Sequence, residues 1–345
     1  MSPAETADLA AALTRMGLLS SGGVFTAVRL GGGVSCDVWK VARPGRDSAQ
    51  SIMPALVVKR ALAKLRVEAD WRAPPERWAA EVAWLKLAGE IDPGTAPQIL
   101  GEDAQTGMFA MAFLDRPLWK TELAAGRVDS GFAAVTGHKL ATIHAATAGR
   151  DEIAARFDNG AQFRALRLEP YLLFTASRNP DVAPLIEKIA GGIAGARIAL
   201  MQGDISPKNI LMDEEGPIFL DAETACYGDP VFDLSFCLNH LLLKCVWHPE
   251  YRDRYLESFI ALKDAYLART DWEDKGGLEA RAARLLAALL LARVDGKSPV
   301  EYLTAEKDKA FVRDAAIAFL KSGEKNLGTI AQVLSAARGP SIPPA

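Results

Sequence analysis

Two short apolar runs near the middle of the chain each lead to a carboxylate, and they constrain the fold more than any other feature. Residues 198–201 lead within three positions to Asp204, and residues 218–220 are followed directly by Asp221. Apolar runs of this length, bounded by polar residues, predict buried strands. An acidic side chain just past each strand is typical of a functional edge of a sheet.

The segment between the two carboxylates predicts a β-hairpin. The polar stretch 213–216 ends in glycine and separates two apolar stretches within residues 210–220, which is the pattern of a tight turn between paired strands. A hairpin folds the chain back on itself. We therefore expect Asp221 to lie close to the loop that carries Asp204 and Asn209.

The residue types in this group suit phosphoryl transfer. Asn209 and Asp221 offer hard oxygen ligands, which Mg²⁺ prefers when phosphate and water complete its coordination shell. Asp204 then remains available to accept a hydroxyl proton and to orient the attacking oxygen. The alternative is a solvated hairpin with acidic residues on its surface.

These residues resemble the aminoglycoside phosphotransferase-like small-molecule kinases, relatives of the protein kinases that include methylthioribose and choline kinases. Their catalytic loop reads His-Gly-Asp with Asn five residues after the Asp, and here Gln202-Gly203-Asp204 is followed by Asn209. Gln202 replaces a histidine that braces the loop. The sequence Asp221-Ala222-Glu223 looks like the metal-binding Asp-x-Glu of the family, so the resemblance implies that Glu223 supports the metal site.

The resemblance implies an α+β, bilobal, protein-kinase-like fold. Residues 1–114 would form a nucleotide-binding N-lobe, with an antiparallel sheet and a helix. Residues 115–345 would form a larger, mostly helical C-lobe with the catalytic loop, the metal site and the acceptor site. A chain of 345 residues with half its residues apolar is long enough for two lobes. The segment 228–234 would lead into a buried helix, where Asp233 holds backbone amides of the catalytic loop.

Composition excludes several classes of protein. No run of about 18 uncharged apolar residues is present, and the first 20 residues lack a basic start before an apolar block, which predicts an unexported, cytoplasmic protein without a membrane partner. A net charge of −3 argues against a nucleic-acid partner. The four cysteines lack Cys-x-x-Cys spacing, which predicts reduced, buried thiols and no zinc site. We expect a monomer or homodimer that binds a small molecule.

Glycines between two predicted strands suggest a phosphate-binding loop. A predicted helix at 4–16 precedes strands at 24–30 and 38–42, and three glycines separate the strands. Backbone amides near Gly33 could approach a phosphate closely, and Ser35 could add a hydroxyl donor. A plain hairpin turn explains the same pattern.

A lysine at the end of a buried strand strengthens the nucleotide-binding hypothesis. Lys59 ends the apolar run 55–60 and could reach nucleotide phosphates as a point charge. The helix predicted at 75–88 carries Glu81 on or beside its apolar face, which makes Glu81 the candidate partner of Lys59. The wider segment 59–81 looks like the corresponding part of methylthioribose kinases. The alternative is a solvated strand end beside an exposed helical acid.

Residues 107–114 predict an edge strand that continues into the connector between the lobes. In kinases of this fold the connector backbone binds adenine, so the resemblance assigns that contact to Met111, Ala112 and Phe113. A core strand is the alternative interpretation.

The remainder of the chain predicts helices that cover the C-lobe. His144 on the helix predicted at 132–147 is interpreted as a hydrogen-bonded core histidine. Residues 298–301 have the pattern of a capping box at the start of another helix. Further helices are predicted at 161–177, 181–193, 232–245, 249–268 and 278–292.

The hypothesis that follows is an ATP- and Mg²⁺-dependent phosphotransferase. Its acceptor would be a hydroxyl of a sugar, thiosugar, amino alcohol or aminoglycoside-like compound, with Asp229 and Arg293 as possible contacts. The C-lobe has no dense acidic run of the kind that several ammonium groups would need, which favours a smaller hydroxylated metabolite.

Two alternatives remain open. The first is a two-metal nuclease that uses Asp221 and Glu223. That motif would normally open its domain, and it would not need Asp204 and Asn209 upstream of it. The second is a catalytically idle nucleotide-binding module of the same fold.

Overall fold

The computed structural model describes residues 1–31, 35–44, 52–62, 74 and 76–336. These residues form two compact units, each made of two chain segments. The N-terminal unit comprises Met1–Arg116 with Leu220–Glu223, and the C-terminal unit comprises Pro117–Phe219 with Thr224–Ala345.

The described residues of the N-terminal unit form a five-stranded antiparallel sheet and two helices. The strands are ordered β1-β2-β3-β5-β4 across the sheet. The bounds are α1 Pro3–Arg15, β1 Thr26–Arg29, β2 Cys36–Pro44, β3 Ile52–Ala61, α2 Arg77–Ile91, β4 Ile99–Asp103 and β5 Met108–Ala112.

The strand predicted at 107–114 is not at the edge of the sheet, which corrects the sequence analysis. Strand β5 pairs with β3 through Met111 and Val57, and with β4 on its other side. Strand β4 takes the edge instead. Its sequence, Ile-Leu-Gly-Glu-Asp, contains a glycine and two acids and therefore lacks an apolar alternation, although charged residues are common on edge strands.

Helix α1 covers one face of the sheet. It begins with a capping box in which Ser2 and Glu5 each accept from the other's backbone amide, and the chain turns at Gly17 with a φ of +70°. Leu9 and Leu13 are fully buried against Trp39 and Val58. The helix and the sheet therefore share one apolar core.

Helix α2 buries charged residues together with its apolar face. Trp84 and Leu85 are buried as expected of a core helix, but Arg77 and Glu81 are each only 1% exposed. Charged side chains are almost never buried unless they are paired. Their burial therefore indicates ion pairs of the N-terminal unit.

The C-terminal unit is mostly helical and contains two small antiparallel sheets. Strand β6 pairs with β9, and β7 pairs with β8. The bounds are α3 Trp119–Ala124, α4 Ser130–Thr147, α5 Asp151–Arg156, α6 Gly160–Phe163, a π-helix at Arg164–Leu173, α7 Phe174–Arg178, α8 Ala183–Gly195, β6 Ala199–Met201, β7 Ile210–Asp213, β8 Gly216–Phe219, β9 Cys226–Gly228, α9 Val231–Trp247, α10 Arg252–Arg269, α11 Lys275–Asp295, α12 Glu306–Ser322 and α13 Leu327–Ser335.

The hairpin predicted between the two carboxylates is present as β7 and β8. Its register pairs Asp213 with Gly216, so that two residues form the loop. Gly216 has a φ of +119°, a conformation that L side chains rarely adopt. The glycine that ends the polar stretch is thus a requirement of this turn.

The centre of the C-terminal unit is helix α9, which is buried along nearly its whole length. His144 is a core histidine, as predicted, because its ring contacts the Tyr266 hydroxyl at 2.8 Å and Asp233 at 3.4 Å. All four cysteines are buried free thiols. In the described part of the chain, no helix has both the length and the apolar character needed to cross a membrane.

The capping box predicted at residues 298–301 does not start a helix. Helix α12 begins at Glu306, and the intervening loop turns back onto the end of α11. The Val300 amide donates to the Arg293 carbonyl at 3.0 Å, and the Arg293 guanidinium donates to the Ser298 carbonyl. These contacts with α11 outweigh the local helix-start signal.

Candidate active site

The loop that follows β6 is held by the carboxylate of Asp233, in the first turn of α9. The amides of Gln202 and Gly203 each donate to Asp233 at 2.7 Å, and Asp233 is fully buried. A carboxylate that accepts hydrogen bonds from two backbone amides fixes both the position and the orientation of the loop. The contact predicted for Asp233 is therefore present.

Gly203 and Gln202 give the loop its shape. Gly203 has a φ of +82°, and a Cβ atom there would lie 2.6 Å from Thr224 Oγ1 and 2.8 Å from the Thr224 carbonyl oxygen. The Gln202 side-chain oxygen accepts the Asp204 amide at 2.6 Å. Gln202 thus braces the loop, which is the role that the resemblance implies for a residue at this position.

Asp204 is buried with its two oxygens in different environments. Oδ2 accepts from Asn209 Nδ2 at 2.8 Å and lies 3.1 Å from both Arg167 Nη2 and Lys208 Nζ. Oδ1 is buried and has no hydrogen-bond partner among the described residues. One oxygen is therefore held in place while the other can accept a proton.

Asn209 ends a short 3₁₀ turn at Pro207–Asn209 and is 7% exposed. Its Nδ2 donates both to the Asp204 carbonyl at 3.1 Å and to Oδ2 of Asp204. Its Oδ1 is an acceptor that suits a cation. Asp204 and Asn209 thus form one compact group of the C-terminal unit.

The N-terminal unit brings together a second group of predicted residues around Lys59. Lys59 Nζ lies 2.7 Å from Glu81 and also contacts Asp221. Burial alone would lower the pKa of Lys59, but the charges of Asp221, Glu81 and Glu223 together outweigh burial and hold the pKa well above its usual value. Lys59 is therefore a fixed positive charge, as a phosphate-binding lysine must be.

Asp221 and Glu223 supply the carboxylates of a possible cation site. Their ligand atoms and Cys36 Sγ lie within 4.8 Å of one another. Burial raises the pKa of the Cys36 thiol far above neutrality, so the sulfur stays protonated and is a poor ligand for a hard cation. The two carboxylates fit Mg²⁺, which is bound through oxygen.

Asp221 adopts an unusual backbone conformation. Its φ is +63°, and among the described residues it is the only non-glycine residue with a positive φ. This region is costly for most side chains, although Asp and Asn tolerate it best. Such backbone strain clusters at functional sites, which agrees with a role for this carboxylate.

Three cationic residues that organise these groups, Arg77, Arg167 and Lys208, were not predicted as site residues. Arg77 Nε donates to Glu223 at 2.8 Å, and its other nitrogens donate to the carbonyls of Pro74, Ser35 and Leu62. Arg167 and Lys208 both approach Asp204. A signal for Arg77 was available, because it lies one helical turn before Glu81 on the same face of α2.

Other predicted nucleotide contacts have partners within the sheet. The amides of Ala112 and Phe113 donate to the carbonyls of Gln98 and Ala55 at 2.9 and 3.2 Å. Both residues line a cavity of about 530 Å³ in the N-terminal unit. Met111 is 8% exposed. Ser35 is buried beside Cys36, whereas Gly33 and the segment 63–73 lie outside the described residues.

The two predicted substrate contacts differ in their surroundings. Asp229 is 2% exposed, and its two oxygens accept from Arg281 at 2.9 and 3.1 Å. Arg293 is 7% exposed and lies near the Tyr171 hydroxyl at 3.4 Å. The proximity of Asp221 to the Asp204 loop, the assigned roles of the site residues and the lobe boundaries at 114 and 115 stay predictions.

Comparison with known sequences matches residues 26–273 to a family described as the phosphotransferase enzyme family. A methylthioribose kinase of Yersinia enterocolitica serotype O:8 / biotype 1B is 26% identical over 248 residues, which cover 64% of this chain and 60% of that protein. The match therefore spans less than two thirds of the length of this relative.

Solved structures of small-molecule kinases share the fold. A choline kinase of Cryptosporidium parvum Iowa II has a TM-score of 0.54 at 12% identity, over 95% of this chain and 99% of the other. An amicoumacin kinase in complex with AMP-PNP and Ca²⁺ has a TM-score of 0.52 at 12% identity, over 89% of this chain and 91% of the other. The predicted α+β, protein-kinase-like fold class is confirmed.

Proposed function

Because the chain belongs to the phosphotransferase enzyme family, we propose that it transfers the γ-phosphoryl group of ATP to a hydroxyl group of a small molecule, with Mg²⁺ as the metal ion. The observation that carries this proposal is the asymmetric environment of Asp204. One oxygen of this buried carboxylate is fixed by three donors, and the other has no hydrogen-bond partner among the described residues.

Asp204 would act as the base. As the acceptor oxygen forms a bond to the γ-phosphorus and the bond from that phosphorus to the β,γ-bridging oxygen breaks, the hydroxyl proton would pass to Oδ1 of Asp204, and ADP would leave. Arg167 and Lys208 contact Oδ2 and hold the carboxylate in position. The positive φ of Gly203 and the contacts of Asp233 hold the loop in the required shape.

The nucleotide phosphates would be held by Lys59, which Glu81 positions. Asp221 and Glu223 would bind Mg²⁺, with Asn209 as a further ligand, and the ion would neutralise charge on the phosphate oxygens. A structurally similar kinase binds AMP-PNP with Ca²⁺, which supports a nucleotide and a divalent cation. Ser35 and residues 111–113 are proposed nucleotide contacts, and because the amides of Ala112 and Phe113 already donate to backbone carbonyls, they would have to exchange those bonds for a nucleotide.

The acceptor would be a small hydroxyl compound such as a sugar, thiosugar, amino alcohol or aminoglycoside-like molecule. The related proteins are named as kinases of methylthioribose, choline and amicoumacin. These three names support a small hydroxyl compound as acceptor and favour no single compound. Asp229 and Arg293 are the residues first proposed as contacts. The nuclease alternative gains no support from these relatives.

The test is the loss of activity on replacing Asp204. We expect Asp204→Ala to reduce ADP release with a panel of hydroxyl compounds by about 10²- to 10⁴-fold, because a positioned base is removed. The exposed Asp181→Ala is the matched control and should match the wild type. Circular dichroism and thermal melting check that both variants fold. A folded Asp204→Ala variant with wild-type turnover would contradict the proposed role, and no ATP consumption by the wild type with any acceptor would favour the idle module.

A further inference from the structure

Two buried cations, Lys244 and Arg293, lie in the C-terminal unit. Lys244 lies on α9 and is 2% exposed, and Arg293 lies on α11 and is 7% exposed. Within the described residues, neither side chain forms a salt bridge, although each of the exposed Lys120, Arg150 and Arg197 does. A charge that is buried without a partner is unfavourable, and such groups normally lie against a counter-charge.

The Lys244 ammonium lies against two aromatic rings, and the charge of Glu301 acts on it without a salt bridge between them among the described residues. The ammonium lies 4.4 Å from the ring centre of Tyr302 and 4.8 Å from that of Trp247. Aromatic faces stabilise a cation in part, but they accept no conventional hydrogen bonds from the ammonium. Burial lowers the pKa of Lys244 to about 8, so the side chain is still mostly charged at neutral pH.

Arg293 uses only part of its hydrogen-bonding capacity. Nη1 donates to the Ser298 carbonyl, and Tyr171 lies beneath the guanidinium at 5.5 Å from its ring centre. The buried Nε has no partner among the described residues. The guanidinium therefore holds the loop after α11 in place and keeps one buried donor for another ligand.

Other polar atoms around the two cations are also buried without partners. They are His240 Nε2 and the Tyr302 hydroxyl, among the residues that the structure covers. Burial, and then the charges of Arg293 and Lys244, lower the pKa of His240 well below its usual value. The ring is neutral at physiological pH and can donate one hydrogen bond.

The acids near this cluster already have cationic partners. Glu301 pairs with Lys120, and Asp204 is paired with Arg167 and Lys208. The charges in excess are therefore those of Lys244 and Arg293.

The cluster extends to the proposed base. Burial would raise the pKa of Tyr171, but the charges of Arg293 and Arg167 outweigh it and the pKa is lowered, while Asp204 acts in the opposite direction. Tyr171 thus lies within the influence of both Arg293 and Asp204. The ring of Tyr171 also contacts Phe236 at 5.4 Å between centres, and Phe236 contacts His240 at 5.6 Å.

We propose that the acceptor carries an oxyanion, a carboxylate or a phosphate ester, which binds to Lys244 and Arg293 with help from Tyr302 and His240 while its hydroxyl faces Asp204. This inference rests on the proposed phosphotransfer and narrows its acceptor. An oxyanion satisfies both cations and accepts the hydrogen bonds that the neighbouring donors lack. A cationic amino alcohol would instead be repelled by the same two charges.

The experiment compares acceptors that differ only in charge. Matched sets are a polyol, the corresponding sugar acid and the corresponding phosphate monoester, such as glycerol, glycerate and glycerol 3-phosphate, and glucose, gluconate and glucose 6-phosphate. ADP release gives kcat and KM, and thermal melting without nucleotide reports binding alone. We expect kcat/KM to be at least about 10-fold higher for an anionic member than for its neutral partner, since charged hydrogen bonds are among the stronger ones. The two anionic arms distinguish a carboxylate site from a phosphate site.

Variants then assign the effect to the cluster. Lys244→Met and Arg293→Met should each raise KM for the anionic acceptor about 10- to 100-fold, with a smaller change in kcat, and should abolish its effect on melting. Lys188→Met, an exposed lysine on α8, is the matched control. If Arg293→Met fails to fold because the Ser298 contact is lost, Lys244→Met and Tyr302→Phe decide the question.

The outcomes separate the two levels of the proposal. Equal use of neutral and anionic acceptors, or anionic binding that survives in Lys244→Met, overturns the oxyanion site while leaving phosphotransfer intact. Anions that raise the melting temperature of the wild type but not of Lys244→Met support the oxyanion site, whether or not an acceptor is phosphorylated. A failure to phosphorylate any acceptor counts against the proposed phosphotransfer alone.

Discussion

Lys59 combines a buried charge with a proposed role in nucleotide binding. Its ammonium contacts Glu81, which is 1% exposed, and Asp221, whose side chain is 27% exposed. Burial raises the pKa of Glu81 to about 7, so this carboxylate depends on Lys59 to stay ionised. A buried ion pair contributes little net stability but is costly to break from one side. The pair is therefore better explained by positioning a phosphate ligand than by stability.

Removing one or both partners separates stability from function. We expect Lys59→Met to lower the free energy of unfolding by about 3–5 kcal/mol, because Glu81 is left buried and uncompensated. The double variant Lys59→Met with Glu81→Met should recover most of that loss, yet both should lose about 10²- to 10³-fold in kcat/KM for ATP. Urea unfolding and ADP release measure the two effects.

Lys86→Met, an exposed position on the same helix, is the control for these variants. A stable double variant that retains wild-type activity would remove Lys59 from the nucleotide site.

At the scale of elements, a small number of contacts fix the conformation of the loop between β6 and β7. The Asp233 carboxylate accepts hydrogen bonds from two of the loop's backbone amides, and the Gln202 side chain accepts one from a third. Gly203 packs against Thr224 with no room for a side chain. Each contact sets the position of Asp204. A change of a few tenths of an ångström in this loop would therefore be felt at the proposed base.

Gly203→Ala tests this packing. The Cβ atom of the alanine would lie 2.6 Å from Thr224 Oγ1, and the backbone there has a φ of +82°. We expect a destabilisation of more than about 1 kcal/mol from the conformation alone, and a loss of activity larger than the loss of folded protein. Gly323 has a φ of +67°, and a Cβ atom added there would have no neighbour within 4 Å. Gly323→Ala therefore carries a similar backbone cost without the clash. If thermal melting and ADP release change equally in the two variants, the clash has no functional consequence.

The elements that the sequence predicted well are those with local signals. The β7–β8 hairpin has its turn chemistry in four consecutive residues, and β3 contains the apolar run 55–58 that leads directly to Lys59. Strand β4 was missed because its own sequence has no apolar alternation and its pairing with β5 gives no other signal, and the loop around Ser298 was misassigned because its contacts with Arg293 compete with the local capping pattern. Periodicity and capping patterns contain no information about such partners.

At the scale of the whole molecule, the motif residues could be found in the sequence but most of their support could not. Asp204, Asn209, Asp221 and Lys59 stand at recognisable positions relative to strands. Charged residues on buried helix faces, such as Lys244 on α9, look like interruptions of an apolar pattern until the packing of three or four helices is known. The cation cluster draws residues from 171 to 302 of the chain, so no sequence window contains it.

The buried charge of Lys244 should therefore lower the free energy of unfolding of the protein. Burial lowers its pKa from 10.5 to about 8. Below about pH 8 the folded and unfolded chains both hold the proton, and the full cost of burying the charge is present. Between about pH 8 and 10.5 the unfolded chain binds the proton more strongly than the folded one, so stability rises with pH until the cost is gone.

Replacing Lys244 by methionine should accordingly stabilise the protein at neutral pH. We expect Lys244→Met to raise the free energy of unfolding by up to about 3 kcal/mol near pH 7, and this advantage over the wild type should shrink as the pH rises towards 10.5. Urea unfolding at both ends of that range, with Lys188→Met as the control, measures the difference. A residue kept only for packing would destabilise the protein when replaced, so a Lys244→Met variant that is less stable than the wild type at neutral pH would contradict a binding role. A more stable variant that has lost its affinity for anionic acceptors would show that this charge is retained for its ligand.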